Sequence, residues 1–180
     1  MEMHFASVWE TISDHIPDEP ALICDDDIKT WKEYDERAAK LAFFLDEKSI
    51  SNDSKVGLYL HNSNEYLEAQ FATFKVEGVP INVNYRYVEE ELIYLLDNSD
   101  SEVVFFQSSY SERIKKIADK LPKIKAFIQV GGTDLLDLKN CYMYEEIISK
   151  NPSLKRKTRS EDNIYMLYTG GTTGMPKGVM

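Results

Sequence analysis

Val56-Gly57-Leu58-Tyr59-Leu60 and Phe74-Lys75-Val76-Glu77-Gly78-Val79-Pro80-Ile81-Asn82-Val83 bracket the stretch that decides the fold. The first five residues are an apolar run of strand length. Asn62 and Ser63 then offer side-chain oxygens as helix caps. Leu67, Phe71 and Phe74 recur at helical spacing, which predicts an amphipathic helix with an aromatic stripe turned to a core. Gly78 is expected to end that helix, and residues 79–83 read as a second strand. Strand, helix and strand in so short a span form a crossover unit, which makes the two strands parallel.

The same rhythm extends in both directions. Upstream, Thr30 and Glu33 make a capping box, and the helix after it places Tyr34, Ala38, Leu41 and Leu45 on one face. Downstream, the pattern predicts a helix over 88–96, a buried strand over 103–106 and a helix over 110–121 with Ile114, Ile117 and Leu121 inward. A strand over 126–130 is closed by Gly131-Gly132, and a short helix follows over 144–148. Alternation of this kind implies an α/β fold, a mostly parallel sheet with helices on both faces. The polar stretch 149–161 marks a boundary: scaffold 1–148, linker 149–161, then a strand and loop over 162–180. The basic run Lys155-Arg156-Lys157-Thr158-Arg159 reads as a solvated loop before the final strand rather than a binding patch. Gly131-Gly132-Thr133 lacks the third glycine of a dinucleotide fingerprint and reads as a surface turn.

At 180 residues the chain can bury ~70% of its unfolded surface in one domain. Its 43% hydrophobic and 12% aromatic content fits a globular protein. Asp and Glu total 31 against 21 Lys and Arg, a formal charge of −10, which argues against nucleic-acid or anionic-membrane binding. Cys24 and Cys141 lie far apart without metal-type spacing, and His4, His15 and His61 form no ligand cluster with them. Two reduced thiols and no resident protein-held metal are expected. The first residues lack the basic start and apolar core of a signal peptide, and no stretch is long and apolar enough to span a bilayer. A cytoplasmic location is expected.

The chemistry concentrates in the last residues. Ile164-Tyr165-Met166-Leu167-Tyr168 leads in like a buried strand, and Thr169-Gly170-Gly171-Thr172-Thr173-Gly174-Met175-Pro176-Lys177-Gly178-Val179 follows. Glycines let backbone N–H groups approach an anion. Thr169, Thr172 and Thr173 add hydroxyls, and Lys177 adds a mobile positive charge. A Walker-type loop is excluded, because Lys177 follows Pro176 and precedes Gly178. A flexible Gly/Thr turn is the bland alternative. The interleaved threonines, the stiffening Pro176 and the apolar lead-in favour phosphate binding.

The stretch 168–179 resembles the phosphate-loop signature of AMP-forming adenylating enzymes: acyl-CoA synthetases, luciferases and peptide-synthetase adenylation domains. Gly170 stands where many members carry serine, which removes one hydroxyl donor. Two upstream stretches are similar to family motifs in the same order: residues 29–38, with Lys29-Thr30-Trp31, and residues 74–84. Tyr85-Arg86-Tyr87-Val88-Glu89-Glu90-Glu91-Leu92 resembles the acyl-CoA synthetase branch in particular, which places Tyr85-Arg86-Tyr87 at a helix entry. The Thr-Gly-Gly-Thr-Thr-Gly form resembles a bacterial branch acting on fatty acids and sterol side-chain acids.

The resemblance implies the N-terminal part of the large domain of an adenylate-forming enzyme. Its site residues for the ATP phosphates would be Thr169, Gly170, Gly171, Thr172, Thr173, Gly174 and Lys177. Magnesium would ride on the phosphates, with Thr172 as a candidate ligand. Substrates of the complete enzyme would be a carboxylic acid, ATP and coenzyme A. The adenine contacts, acyl pocket and mobile C-terminal domain of such enzymes lie beyond the loop. Residues 1–180 alone are therefore expected to be inactive, and uncovered sheet edges favour self-association. Two other readings stay open: a truncated binding or regulatory module without catalysis, and another kind of adenylating enzyme.

Overall fold

The computed structural model describes residues 3–169 and 177–179. Five parallel strands form the central sheet: β3 (Lys55–Tyr59), β4 (Val79–Asn82), β5 (Ser101–Gln107), β6 (Ala126–Val130) and β7 (Cys141–Met143), in spatial order β4-β3-β5-β6-β7. Because side chains alternate along a strand, each strand feeds two cores. Val56, Leu58, Val103, Phe105 and Ile128 face one layer, made by α1 (Phe5–His15), α2 (Trp31–Glu47), α3 (Asn64–Lys75) and α6 (Tyr144–Lys150). Tyr59, Ile81, Val104, Phe106 and Phe127 face the other, made by α4 (Glu89–Asn98) and α5 (Ser111–Ile117). The parallel sheet with helices on both faces is as the sequence pattern predicts.

Several local readings hold. Thr30 Oγ1 accepts from Glu33 N at 3.2 Å, and Glu33 returns a carboxylate to Thr30 N at 2.8 Å, a complete capping box. Ser63 caps α3, and Ile114, Ile117 and Leu121 are buried. Three details differ. Leu67 is 37% exposed, and the inner face of α3 carries Glu68 and Lys75 beside Phe71 and Phe74. The left-handed residue after α3 is Glu77 (φ 65°), not Gly78. Gly78 serves close approach instead, since a Cβ there would stand 3.0 Å from Thr73 Cγ2 and 3.1 Å from Ser54 O. The helix over 110–121 is broken into α5 flanked by single 3₁₀ turns.

The basic run is a loop exposed over residues 155–158, as expected, but it is also pinned to the domain. Leu154 N donates to Ala39 O at 2.9 Å. Arg156 pairs with Asp14 at 2.7 Å and Asp35 at 2.8 Å, and Lys157 pairs with Glu77 at 2.7 Å. Arg159 is only 4% exposed and grips both carboxylate oxygens of Glu10, at 2.8 and 2.9 Å. Acidic partners supplied by α1, α2 and the turn after α3 lie far away in sequence, so the charge pattern of the run alone could not show that it is a strap. Elements that the sequence reading did not include are α1, whose Phe5, Val8, Trp9 and Ile12 do recur at helical spacing, β7, and the antiparallel hairpin of β1 (Pro20–Cys24) and β2 (Asp27–Thr30).

Candidate functional site

Past the strap, Met166 forms one parallel bridge to Ile81 at the sheet edge. The chain then enters β8 (Leu167–Thr169), which pairs antiparallel with β9 (Lys177–Val179). The register is Leu167 with Val179, Tyr168 with Gly178, and Thr169 with Lys177. Thr169 and Lys177, eight positions apart in sequence, therefore face each other at the mouth of a hairpin. Ile164 and Leu167 are exposed while Met166 is buried, so the lead-in is an edge strand rather than the buried strand its apolar run suggested. Gly170, Gly171, Thr172, Thr173 and Gly174 lie outside the described residues.

Gly178 has a steric reason. A Cβ there would come within 3.2 Å of Tyr168 Cζ and 3.4 Å of Met166 Sδ, so glycine gives the Tyr168 ring room to cross the hairpin. Tyr168 OH donates to Asn98 Oδ1 at 2.9 Å, which ties β8 to the end of α4. Burial pushes the Tyr168 phenol above its ordinary range.

The same ring closes a cavity of about 330 Å³, shared with Asn62, Asn82, Asn84, Tyr85 and Tyr87. Asn82 ends β4 and the others follow β3 or β4, so the cavity lies at the carboxyl ends of parallel strands, where open α/β sheets bind ligands. Its rim is held by backbone acceptors. Tyr59 OH donates to Tyr87 O at 3.1 Å and Arg113 Nη1 to the same oxygen at 2.9 Å, while Arg113 also donates to the Tyr59 hydroxyl. Burial raises the Tyr59 phenol, and Arg113 pulls it partly back. Asn84 Oδ1 accepts from Arg86 N at 3.0 Å. Tyr85-Arg86-Tyr87 is thus a turn into α4, as its placement at a helix entry implied, but Tyr85 and Tyr87 also line the cavity. Of the three asparagines, the sequence offered Asn62 as a helix cap and Asn82 and Asn84 within a family motif, and none as a cavity residue. Their signal was position: amide side chains at or just past the ends of predicted strands.

Among the described residues no carboxylate lines this cavity, in a chain with ten more acidic than basic side chains. Amide and phenol donors suit an anionic ligand. Among the described residues, no group of three His, Cys, Asp or Glu is arranged to hold a metal ion, and no helix is long and apolar enough to cross a membrane.

Comparison with known proteins agrees with this geometry. A curated 3-oxocholest-4-en-26-oate–CoA ligase of Rhodococcus rhodochrous is 39% identical over the whole chain. A medium/long-chain-fatty-acid–CoA/3-oxocholest-4-en-26-oate–CoA ligase of Mycolicibacterium smegmatis is 37% identical over the same span. The chain covers 33% of each; it spans about a third of the length of these relatives. Among solved structures, anthranilate CoA ligase AuaEII in complex with anthranoyl-AMP superposes with a TM-score of 0.90 at 20% identity, over 99% of this chain and 34% of that one, which speaks for the fold. The family model described as AMP-binding enzyme matches residues 9–180, and the chain belongs to that family.

Proposed function

We propose that the chain is the N-terminal part of an acyl-CoA synthetase that activates a fatty acid or a sterol side-chain acid. The observation that carries this reading is the hairpin mouth. Thr169 and Lys177 are brought opposite each other beside a carboxylate-free cavity at the carboxyl end of the sheet. In the proposed reaction a substrate carboxylate oxygen bonds to the α-phosphorus of ATP as the bond to pyrophosphate breaks. The thiol of coenzyme A then takes the acyl carbon and AMP leaves. No protein nucleophile is required; the obstacle is an anion approaching a polyanion, so positioning and cationic or N–H donors do the catalysis.

On this reading, residues 169–174 hold the β- and γ-phosphates through backbone N–H groups and the hydroxyls of Thr169, Thr172 and Thr173. Lys177 adds its charge on ATP arrival. Magnesium, bound through the phosphates with the Thr172 hydroxyl in reach, supplies further charge neutralisation. The protein acts in the cytoplasm, self-associates through uncovered sheet edges when cut at residue 180, and gives no acyl-CoA from residues 1–180 alone. Thr172→Ala, placed in the chain with its continuation, is expected to lower ATP–pyrophosphate exchange by ~10²-fold, the usual cost of removing one charge-stabilising donor. Wild-type exchange in that variant would sink the phosphate assignment.

A further inference from the structure

The register of the hairpin is weakly specified by the sheet itself. Only the bridge from Met166 to Ile81 joins this segment to β4 in the described ladder. A strand shifted by one residue turns every side chain to the opposite face, so a slip here would turn Tyr168 away from the cavity and shift the backbone of Thr169 and its partner Lys177. Tyr168 fastens the segment to Asn98 at its far end, and a second fixed point lies upstream.

The strongest fixed point upstream is Arg159, seven residues before Met166 in the chain. Three full charges are removed from water around it: Glu10 is 5% exposed, Lys75 2% and Arg159 4%. Lys75 Nζ donates to Glu10 Oε1 at 2.8 Å and to Asp35 Oδ1 at 2.5 Å. Arg159 Nη1 and Nη2 grip the two oxygens of Glu10, and its Nε donates to Lys75 O at 3.3 Å. A two-point fork on a carboxylate fixes direction as well as distance. Buried ion pairs of this kind are poor sources of stability, and their best-attested use is to specify register. Between Arg159 and Met166 the chain has further fastenings. Ser160 N donates to Glu77 Oε1 at 3.4 Å, Asn163 Nδ2 to Glu77 O at 3.3 Å, and Gln70 Nε2 to Tyr165 OH at 3.2 Å.

We infer that Arg159 is a positioning residue for the phosphate loop: its grip on Glu10 beside Lys75 sets the register at which Met166 meets Ile81, and so where Thr169 and Lys177 stand. The importance for ATP rests on the function proposed above; the register does not.

The test reads register by disulfide trapping in this chain, with Cys24→Ser and Cys141→Ala as background. Paired strand positions fall within disulfide reach. Ile81→Cys with Met166→Cys is expected to cross-link efficiently, and Ile81→Cys with Tyr165→Cys or Leu167→Cys poorly. Adding Arg159→Met is expected to lower the 81–166 yield roughly fivefold and raise a neighbouring pair, as a one-residue slip demands. Arg159→Lys keeps the charge but loses the fork, and should divide the yield between registers. If Arg159→Met does not fold, Arg159→Lys carries the test alone. Cross-linking confined to 81–166 in Arg159→Met, or in Arg159→Lys when that variant carries the test, overturns the inference. The trapping is done without ATP, so failure of ATP to bind the wild-type loop would fault the functional reading and leave the register result standing.

Discussion

The two helical layers on the sheet solve the same packing problem with different materials. Under α4 and α5 the contact is hydrocarbon: Leu92, Leu95, Leu96, Ile114 and Ile117 close over Val104 and Phe106. Under α1, α2, α3 and α6 the core is as apolar at its centre but threaded by buried charge. Glu68, fully buried, accepts from Arg37 Nε at 2.8 Å and from Tyr144 OH at 2.5 Å. Burial lifts the Glu68 carboxyl above its ordinary range against the pull of Arg37. Glu10, Lys75 and Arg159 form the second buried set. An apolar layer can hold helices, whose own hydrogen bonds are internal. A strap with no secondary structure has few apolar anchors and needs directional contacts to be held in one place. The charged layer lies where the strap runs.

Mutations should separate the two materials. The largest expected loss is on the hydrocarbon side, where Phe106→Ala should cost about 3–5 kcal/mol in urea unfolding through lost burial and the cavity left. A loss under 1 kcal/mol would mean that layer is looser than its full burial implies. On the charged side, Lys75→Met should cost about 3 kcal/mol, since it leaves Glu10 and Asp35 each short of a cation. Replacing Glu10, Lys75 and Arg159 together by methionine should recover most of that loss, because Glu10 is then gone and Asp35 keeps its pair with Arg156. A triple variant as weak as the single one would show that this network supplies stability rather than register.

The smallest effect is a pH dependence. The hydrogen bond from Arg156 holds the Asp14 carboxyl below its ordinary 3.8. A carboxyl depressed in the folded state binds protons more tightly when unfolded. The linked contribution is present above pH 3.8 and is lost as pH falls through the depressed folded value. Amide exchange over residues 154–157 should accelerate in that acid range before the sheet amides respond. Simultaneous loss of both would unite regions that the comparison divides.

The apolar half of this molecule was legible in its sequence. Strands such as Val56-Gly57-Leu58-Tyr59-Leu60 and helices such as that of Ile114 and Ile117 announce themselves by spacing, because burial and periodicity are local facts. The Thr30–Glu33 box is local as well. The strap was read only in part because its meaning depends on partners more than a hundred residues away: Arg159 on Glu10, Arg156 on Asp14. A run of basic side chains looks solvated until the carboxylates that fold against it are known. The candidate site was half legible. Its glycines, threonines and lysine carry the proposal of a phosphate loop, but the asparagines and tyrosines of the adjoining cavity only converge once β3 and β4 lie side by side.

The two cysteines differ in a way that gives the chain a built-in labelling site. Cys141 is buried in the second core, and burial pushes its thiol up to about 11, which leaves little thiolate to react at neutral pH. Cys24 is half-exposed and lines a separate cavity of about 510 Å³ with Leu22, Tyr66 and Leu67. A maleimide fluorophore added under brief, mild conditions should therefore land on the β1–β2 hairpin without mutagenesis. From there it would report on that hairpin and the start of α3, on the side of the molecule where the first helical layer meets solvent.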